Sequence, residues 1–173
     1  MKLPPAGTVH DQREIDAVLE VLTNGTLDLG PAVAAMEQRS AKLLAKKHGV
    51  MVNSGSSALR LAIDLLNLSP GDEVITSPLT FSTDVAPLVQ SGLVPVFADV
   101  DRDTYQIDAN RIVDMIGART RAILVPNLCG NVPDWDAIRS IADERGLKVI
   151  EDSVTFSTRG WVARALGRGA IFQ

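Results

Sequence analysis

The stretch Val50-Met51-Val52-Asn53-Ser54-Gly55-Ser56-Ser57 decides the fold, because it joins a short apolar run to the start of an amphipathic one. The pattern predicts a strand, a turn of small residues and a helix. The first turn of a helix has unpaired backbone N–H groups and a partial positive charge, which favour a phosphate. Two interpretations stay open: this turn holds a phosphate, or Ser54 or Ser56 only caps the helix.

Composition limits the class of protein. The chain has 173 residues, of which 46% are apolar and 22% charged, typical of a soluble globular domain. The net charge of -4 argues against a protein built to bind nucleic acid. We find no apolar run near the ~20 residues that span a membrane, and no signal-peptide core. The single cysteine, Cys129, excludes an intrachain disulfide, so a cytoplasmic setting is expected.

Predicted strands and helices alternate along the chain, which is typical of βαβ units. We therefore predict an α/β fold: three α/β/α layers around a mainly parallel sheet. Two early helices are predicted, one starting at Asp11 and one at Pro31, the second with Val33, Met36, Leu43 and Leu44 facing inward. A further stretch, Leu93 to Val100, is predicted to be a buried strand. The complete set of predicted strands is 50–52, 73–76, 93–100, 122–126 and 147–150.

Ligands of open α/β sheets collect beyond the carboxyl ends of the strands. Three candidate elements follow such ends: the serine turn, the segment Ser77 to Phe81, and Glu151-Asp152-Ser153. Taken singly, each element also has a structural explanation. The serine turn could be a helix cap, the second segment a loop whose aromatic residue packs on the core, and the third an N-terminal carboxylate. Together they would suit a flat, basic, phosphorylated heterocycle.

Other kinds of site have little support. The sequence contains neither a G-x-G-x-x-G after the first strand nor a Walker-type G-x-x-x-x-G-K. Because His10 and His48 lie far apart and Cys129 is alone, no metal site is predicted. We expect Cys129 to be a packed loop residue.

Several ordered segments together resemble one known family. They resemble the amino-terminal part of the DegT-type sugar aminotransferases, which are PLP-dependent enzymes of the aspartate-aminotransferase fold, type I. The match runs from about Thr8 to Asp152. The segments are GTLDLGP (25–31), VNSGSSAL (52–59), PGDEVI (70–75), VPVFADVD (94–101), TYQID (104–108) and VIED (149–152). The segments PNL (126–128), GN (130–131) and PDWD (133–136) lean towards a branch with nucleotide-sugar 3-dehydratases.

The resemblance implies a site for PLP or its amine form, PMP. Gly55, Ser56 and Ser57 would hold the phosphate. Phe81 would stack on the pyridine ring, and Asp152 would pair with the pyridinium nitrogen and keep it protonated, so that the ring acts as an electron sink. Thr155 stands where the family usually has a glutamine, histidine or aspartate beside the cofactor. Residues 25–31 resemble a loop that reaches an active site at the interface of a homodimer.

The resemblance also implies that the chain is truncated. The family's Schiff-base lysine, or the histidine of the dehydratases, lies well beyond the Asp152 motif, and no lysine here matches it, so no catalytic residue is assigned. The implied organisation is an N-terminal helix and interface loop (1–30), an incomplete PLP-binding domain (31–152) and a divergent tail (153–173). The family's strand order, 3-2-4-5-6-7-1, implies that 50–53 loses its partner, that a gap lies beside 147–150, and that the isolated chain is marginally stable or rearranged.

Three functions follow as hypotheses. The first is a fragment of an aminotransferase that acts on a nucleotide-linked keto sugar with an amino donor such as glutamate. The second is a fragment of a PMP-dependent nucleotide-sugar 3-dehydratase. The third is a non-catalytic α/β binding module.

Overall fold

A computed structural model of the chain describes residues 10–25, 30–153 and the backbone of 170–172. The helices in these ranges are α1 (Gln12–Thr23), α2 (Pro31–Leu43), α3 (Gly55–Leu65), α4 (Ser82–Gln90), α5 (Ala109–Met115) and α6 (Trp135–Arg145). The strands are β1 (Glu73–Thr76), β2 (Val94–Phe97), β3 (Thr120–Pro126), β4 (Lys148–Asp152) and β5 (Ala170–Phe172).

The five strands form one parallel sheet in the order β2-β1-β3-β4-β5. Neighbouring residues of a strand point to opposite faces, so each strand contributes to two cores. On one face, Val74, Leu124 and Ile150 pack with residues of α3 and α4. On the other, Ile75, Ile123 and Val149 pack with residues of α5 and α6. The predicted α/β fold with helices on both faces of a parallel sheet is confirmed.

Local capping signals act as their sequences predict. The Asp11 side chain accepts a hydrogen bond from the backbone N–H of Arg13, and Glu14 completes a capping box at the start of α1. Asp108 caps α5 by accepting a hydrogen bond from the backbone N–H of Asn110. Gly146 ends α6 with a φ of 65°, a left-handed conformation that glycine adopts without strain.

The ends of the predicted sheet need correction. Val50 to Val52 does not form a strand, and Val50 is 67% exposed. A gap beside 147–150 was expected, but β5 pairs with β4 in parallel register at that edge. The prediction missed β5 because three apolar residues, Ala170 to Phe172, give too short a pattern to recognise.

Three predicted apolar faces are more exposed than expected. In α2, Met36 and Leu43 are exposed rather than inward-facing. In α1, the apolar side chains at helical spacing also lie at the surface, and no residue of this helix is buried. The predicted buried strand 93–100 is shorter, Val94–Phe97, and only half-buried, since it lies at the edge of the sheet.

Candidate functional site

The candidate site lies beyond the carboxyl ends of β1, β3 and β4, which are neighbours in the sheet. After β1, the Ser77 hydroxyl accepts a hydrogen bond from the backbone N–H of Leu79 at 3.1 Å and shapes the turn. The turn leads to Phe81, the residue before the first turn of α4. Phe81 is 74% exposed, so an aromatic face is accessible at this edge.

Asp152 is the last residue of β4 and is half-buried. It pairs in register with Pro126 at the end of β3. Its carbonyl accepts a hydrogen bond from the backbone N–H of Asn127 at 2.8 Å. The two central strands therefore fix the backbone from which the Asp152 carboxyl projects.

Sequence reasoning missed a second carboxyl group at this place, that of Asp84 in the first turn of α4. Asp84 is fully buried. One oxygen, Oδ2, accepts a short hydrogen bond from the Thr80 hydroxyl, while Oδ1 is buried and has no hydrogen-bond partner among the described residues. Burial, together with the charge and side-chain contact of Asp152, raises the pKa of Asp84 to about 7, against the opposing effect of Thr80. The sequence signal that could have identified this carboxyl group is the threonine, Thr80, four residues before the aspartate.

Glu151 anchors the same strand end from the opposite face of the sheet. Asn127 donates from Nδ2 to Glu151 Oε1 at 2.7 Å, and the Ser153 hydroxyl donates to the same oxygen at 2.7 Å. The indole Nε1 of Trp135 donates to Asn127 Oδ1 at 3.0 Å. Burial raises the pKa of Glu151, and the hydrogen bonds from Ser153 and Asn127 oppose that rise. This polar network, Asn127–Trp135–Glu151–Ser153, holds the residues on both sides of Asp152.

The serine turn begins α3. The Ser54 hydroxyl accepts a hydrogen bond from the backbone N–H of Ser57 at 3.2 Å and donates to the Ser57 hydroxyl at 3.1 Å. Ser54 is therefore the cap, as one of the two sequence interpretations has it. Ser56 is exposed in the first turn, and Leu59, further along α3, packs into the same core as Ile150 of β4.

Several predictions fall elsewhere. Thr155 and most of the loop 25–31 lie outside the described residues. Cys129 is exposed rather than packed. Within the described ranges, no group of three or more histidine, cysteine, aspartate or glutamate residues is arranged to hold a metal ion. No helix in the same ranges is long and apolar enough to cross a membrane.

A groove of about 440 Å³ lies between α2, α3 and the segment 46–52. It is lined mainly by apolar side chains, among them Ala41, Leu44, Met51, Leu61 and Leu65. None of Phe81, Asp84 and Asp152 lines it. The groove is therefore separate from the candidate site.

The structure thus brings Phe81, Asp84 and Asp152 to one sheet edge. The first turn of α3 belongs to a helix that packs on β4 and α4. An unpartnered buried acceptor, Asp84 Oδ1, beside a second carboxyl group suits a ligand that carries an N–H donor or a positive charge. The exposed ring of Phe81 suits a flat ligand. These residues fit a protonated aromatic heterocycle such as that of PLP or PMP.

Comparison with known proteins gives a consistent result. Residues 8–168 match the sequence profile of the DegT/DnrJ/EryC1/StrS aminotransferase family. The spore coat polysaccharide biosynthesis protein SpsC of Bacillus subtilis (strain 168) is 40% identical over 151 residues, which cover 87% of this chain and 39% of SpsC. The chain thus spans well under half the length of this relative.

Solved structures agree with the sequence match. GDP-4-keto-6-deoxymannose-3-dehydratase (ColD) with bound GDP-perosamine is 34% identical, with a TM-score of 0.85 over 90% of this chain and 42% of its own. NtdA of Bacillus subtilis with bound cofactor PMP is 32% identical, with a TM-score of 0.79 over 86% of this chain and 35% of its own. The family and these neighbours indicate a cofactor of the PLP type.

Proposed function

The chain belongs to the DegT/DnrJ/EryC1/StrS aminotransferase family, and from this membership we propose that residues 31–152 are the cofactor-binding part of an aminotransferase acting on a nucleotide-linked keto sugar. The observation that carries the proposal is the meeting of Asp84 and Asp152 beside the accessible ring of Phe81. The substrate class rests on relatives such as SpsC and ColD, whose names refer to polysaccharide biosynthesis and a GDP-linked keto sugar. The amino donor would be one such as glutamate.

Each residue of the site would have one task. Gly55, Ser56 and Ser57 would present N–H and hydroxyl donors to the phosphate at the start of α3, where the helix dipole favours an anion. Phe81 would cover one face of the ring. Asp152 would accept the N–H of the ring nitrogen and hold the proton there. When bound, the cofactor supplies an electron sink for carbanion chemistry.

We assign no Schiff-base lysine within residues 1–173. Lys148 stands at the start of β4, the opposite end of the strand from Asp152. Lys42, Lys46 and Lys47 lie at the end of α2 or just after it. Burial lowers the pKa of Lys46, and the nearby carboxylate of Glu151 opposes this effect.

A second candidate function is PMP-dependent dehydration of a nucleotide-linked keto sugar. The observation that favours it is the likeness to ColD, with a TM-score of 0.85. The coding DNA beyond the codon for Gln173 separates the two candidates. A following open frame with a lysine in the family position supports the aminotransferase, whereas a histidine there supports the dehydratase.

We also propose that the partner of this chain is a second copy. The support is α1, whose apolar side chains Ile15, Val18, Leu19 and Leu22 are 43 to 60% exposed. A helix face of this kind is stable in water only if another surface covers it. Sedimentation over a range of protein concentrations tests this, and a monomer at all concentrations would contradict it.

The cofactor proposal is tested by PMP binding. PMP is the better ligand because the aldehyde of PLP reacts with surface lysines. Equilibrium dialysis should show PMP binding to the unsubstituted chain and about tenfold or greater weakening in Asp152→Asn, since a lost charge pair shifts binding by at least that factor. Asp114→Asn, which removes an exposed carboxylate from α5, should bind like the parent.

Two results would count against the proposal. Equal PMP affinity in the parent and Asp152→Asn would remove Asp152 from the site. The absence of any PMP binding would favour the third hypothesis, a non-catalytic binding module.

A further inference from the structure

The apolar groove between α2, α3 and the segment 46–52 takes no part in the proposed cofactor site. Its lining residues on α3 recur at helical spacing and are Ala58, Leu61, Ala62 and Leu65. Residues at positions i, i+3, i+4 and i+7 lie on one face of a helix. Because the side chains of Leu61 and Leu65 are exposed, this face of α3 is accessible to another apolar surface.

The segment 46–52, which forms another side of the groove, is held against α2. The backbone N–H of Met51 donates to Glu37 Oε1 at 2.8 Å. A Cβ atom on Gly49 would lie 2.5 Å from the backbone carbonyl oxygen of Glu37, so only a residue without a side chain allows this approach. The groove is therefore a preformed feature of the surface.

The helix α1 carries the same pattern of apolar residues on an exposed face. These residues also stand at positions i, i+3, i+4 and i+7, and they are Ile15, Val18, Leu19 and Leu22. Each of the two stripes extends over seven residues, or about 10 Å at the rise of an α-helix. The α1 stripe has four large side chains, whereas the α3 stripe alternates alanine with leucine. Rows of large side chains on one helix pack between those of another, so the two stripes match in length and in shape.

The charges of the two surfaces are opposite. On the side of the groove, Lys47 is an exposed lining residue, and α2 carries the exposed residues Arg39 and Lys42. Glu37, the only carboxylate among the described residues that line the groove, accepts the N–H of Met51. The helix α1 is acidic, with three carboxylates and one guanidinium, those of Glu14, Asp16, Glu20 and Arg13. Such complementarity favours association and fixes the orientation of the partners.

The groove is not filled by α1 of the same chain, because no residue of α1 lines it and the apolar stripe of α1 is exposed. We propose that α1 of a second copy lies in this groove, with its stripe against the stripe of α3. This inference rests on the proposed second copy. In a closed pair each copy inserts its α1 and receives that of its partner, so the two contacts are equivalent by two-fold symmetry.

Sedimentation of the full chain with a substitution on either surface tests the contact. Leu19→Lys changes the stripe of α1, and Val50→Asp changes the lining of the groove. Both side chains are exposed, so both variants should fold, which circular dichroism checks. Each should weaken the dimer about tenfold or more, because each places an unpaired charge in an apolar contact. Val113→Asp, at an exposed position of α5, should dimerise like the parent.

An equimolar mixture of Leu19→Lys and Val50→Asp gives a sharper test. A dimer that contains one chain of each kind has one contact in which both the helix and the groove are unsubstituted. The mixture should therefore associate more strongly than either variant alone. A mixture that associates no better than its components would overturn the inference.

The outcomes separate this inference from the proposals on which it rests. If Leu19→Lys dissociates the dimer but Val50→Asp does not, α1 is covered by another surface, such as α1 of the partner, and the second copy stands while the groove contact is overturned. A parent chain that is monomeric at all concentrations overturns both, and leaves the proposed cofactor site unaffected. Should Val50→Asp fail to fold, Leu65→Asp on α3 replaces it in both measurements, with the same expected and contradicting results.

Discussion

Asp84 makes the stability of this chain depend on pH. Its pKa is raised from 3.8 to about 7, chiefly by burial, so the folded chain keeps a proton that the unfolded chain loses near pH 4. The contribution of Asp84 is therefore most favourable below pH 4 and is lost as the pH rises to 7. Urea unfolding should show the parent losing about 1–3 kcal/mol between pH 5 and pH 8 relative to Asp84→Asn.

The comparison with Asp84→Asn isolates this one group, because Glu151 also has a raised pKa and is present in both proteins. Asp143→Asn serves as a control, since the Asp143 side chain is 68% exposed and lies on α6. Parallel stability profiles for the parent and Asp84→Asn would show that Asp84 is ionised in the folded chain.

Single residues differ in how well the sequence predicts them. Ser54 and Asp108 were predictable as caps because a cap needs only the few residues that follow it. Asp84 was not, because its burial and its contact with Asp152 depend on a sheet that brings residues distant along the chain together. The site roles of Ser56, Ser57 and Phe81 remain predictions.

The ends of β3 and β4 are tied by the network Asn127–Trp135–Glu151–Ser153. Asn127→Ala would remove the donor to Glu151 and the acceptor for the Trp135 indole, both of which are buried. We expect the free energy of unfolding to fall by about 2–4 kcal/mol, because unsatisfied buried polar groups keep their desolvation cost. Thermal or urea unfolding measures it.

Asn110→Ala is the matched control for that change. The Asn110 amide lies at the surface of α5 and bonds only to Asp108 among the described residues. Its loss should change stability by no more than about 0.5 kcal/mol. Equal effects of the two substitutions would show that the network does not stabilise the strand ends.

Elements were predictable where their pattern is long. The period of α6 and the caps of α3 and α5 indicate helices without knowledge of the partners. The orientation of α1 and α2 was not predictable. An apolar stripe indicates that one face of a helix packs against another surface, but it does not indicate which surface that is. Val50 to Val52 is apolar enough for a strand but lacks a neighbouring strand in the described part of the chain, so pairing rather than propensity decides its state.

We expect the free energy of local unfolding to differ between parts of the molecule. β3 lies between β1 and β4, and Ile123, Leu124 and Val125 are fully buried. In contrast, Val50 to Asn53 is unpaired with the sheet, although the backbone N–H of Met51 donates to Glu37 Oε1 at 2.8 Å. Hydrogen exchange should therefore be slowest in β3 and much faster at 50–53.

Strong, cooperative protection at 50–53, equal to that of β3, would contradict this expectation. The strand order could be anticipated only through the family resemblance, because hydrophobic periodicity states how many strands exist but not which ones are neighbours. The position of β5 was not predicted even from the family resemblance.

Trp135 gives this architecture a built-in optical probe. Its indole is 4% exposed and bonded to Asn127, two hydrogen bonds away from the residue that precedes Asp152. A shielded indole emits at shorter wavelength than one in water, and a pyridine cofactor that absorbs in the near ultraviolet would quench it by energy transfer. With Trp161→Phe removing the other tryptophan, the emission of one side chain would report both the integrity of the strand ends and the arrival of a ligand beside them.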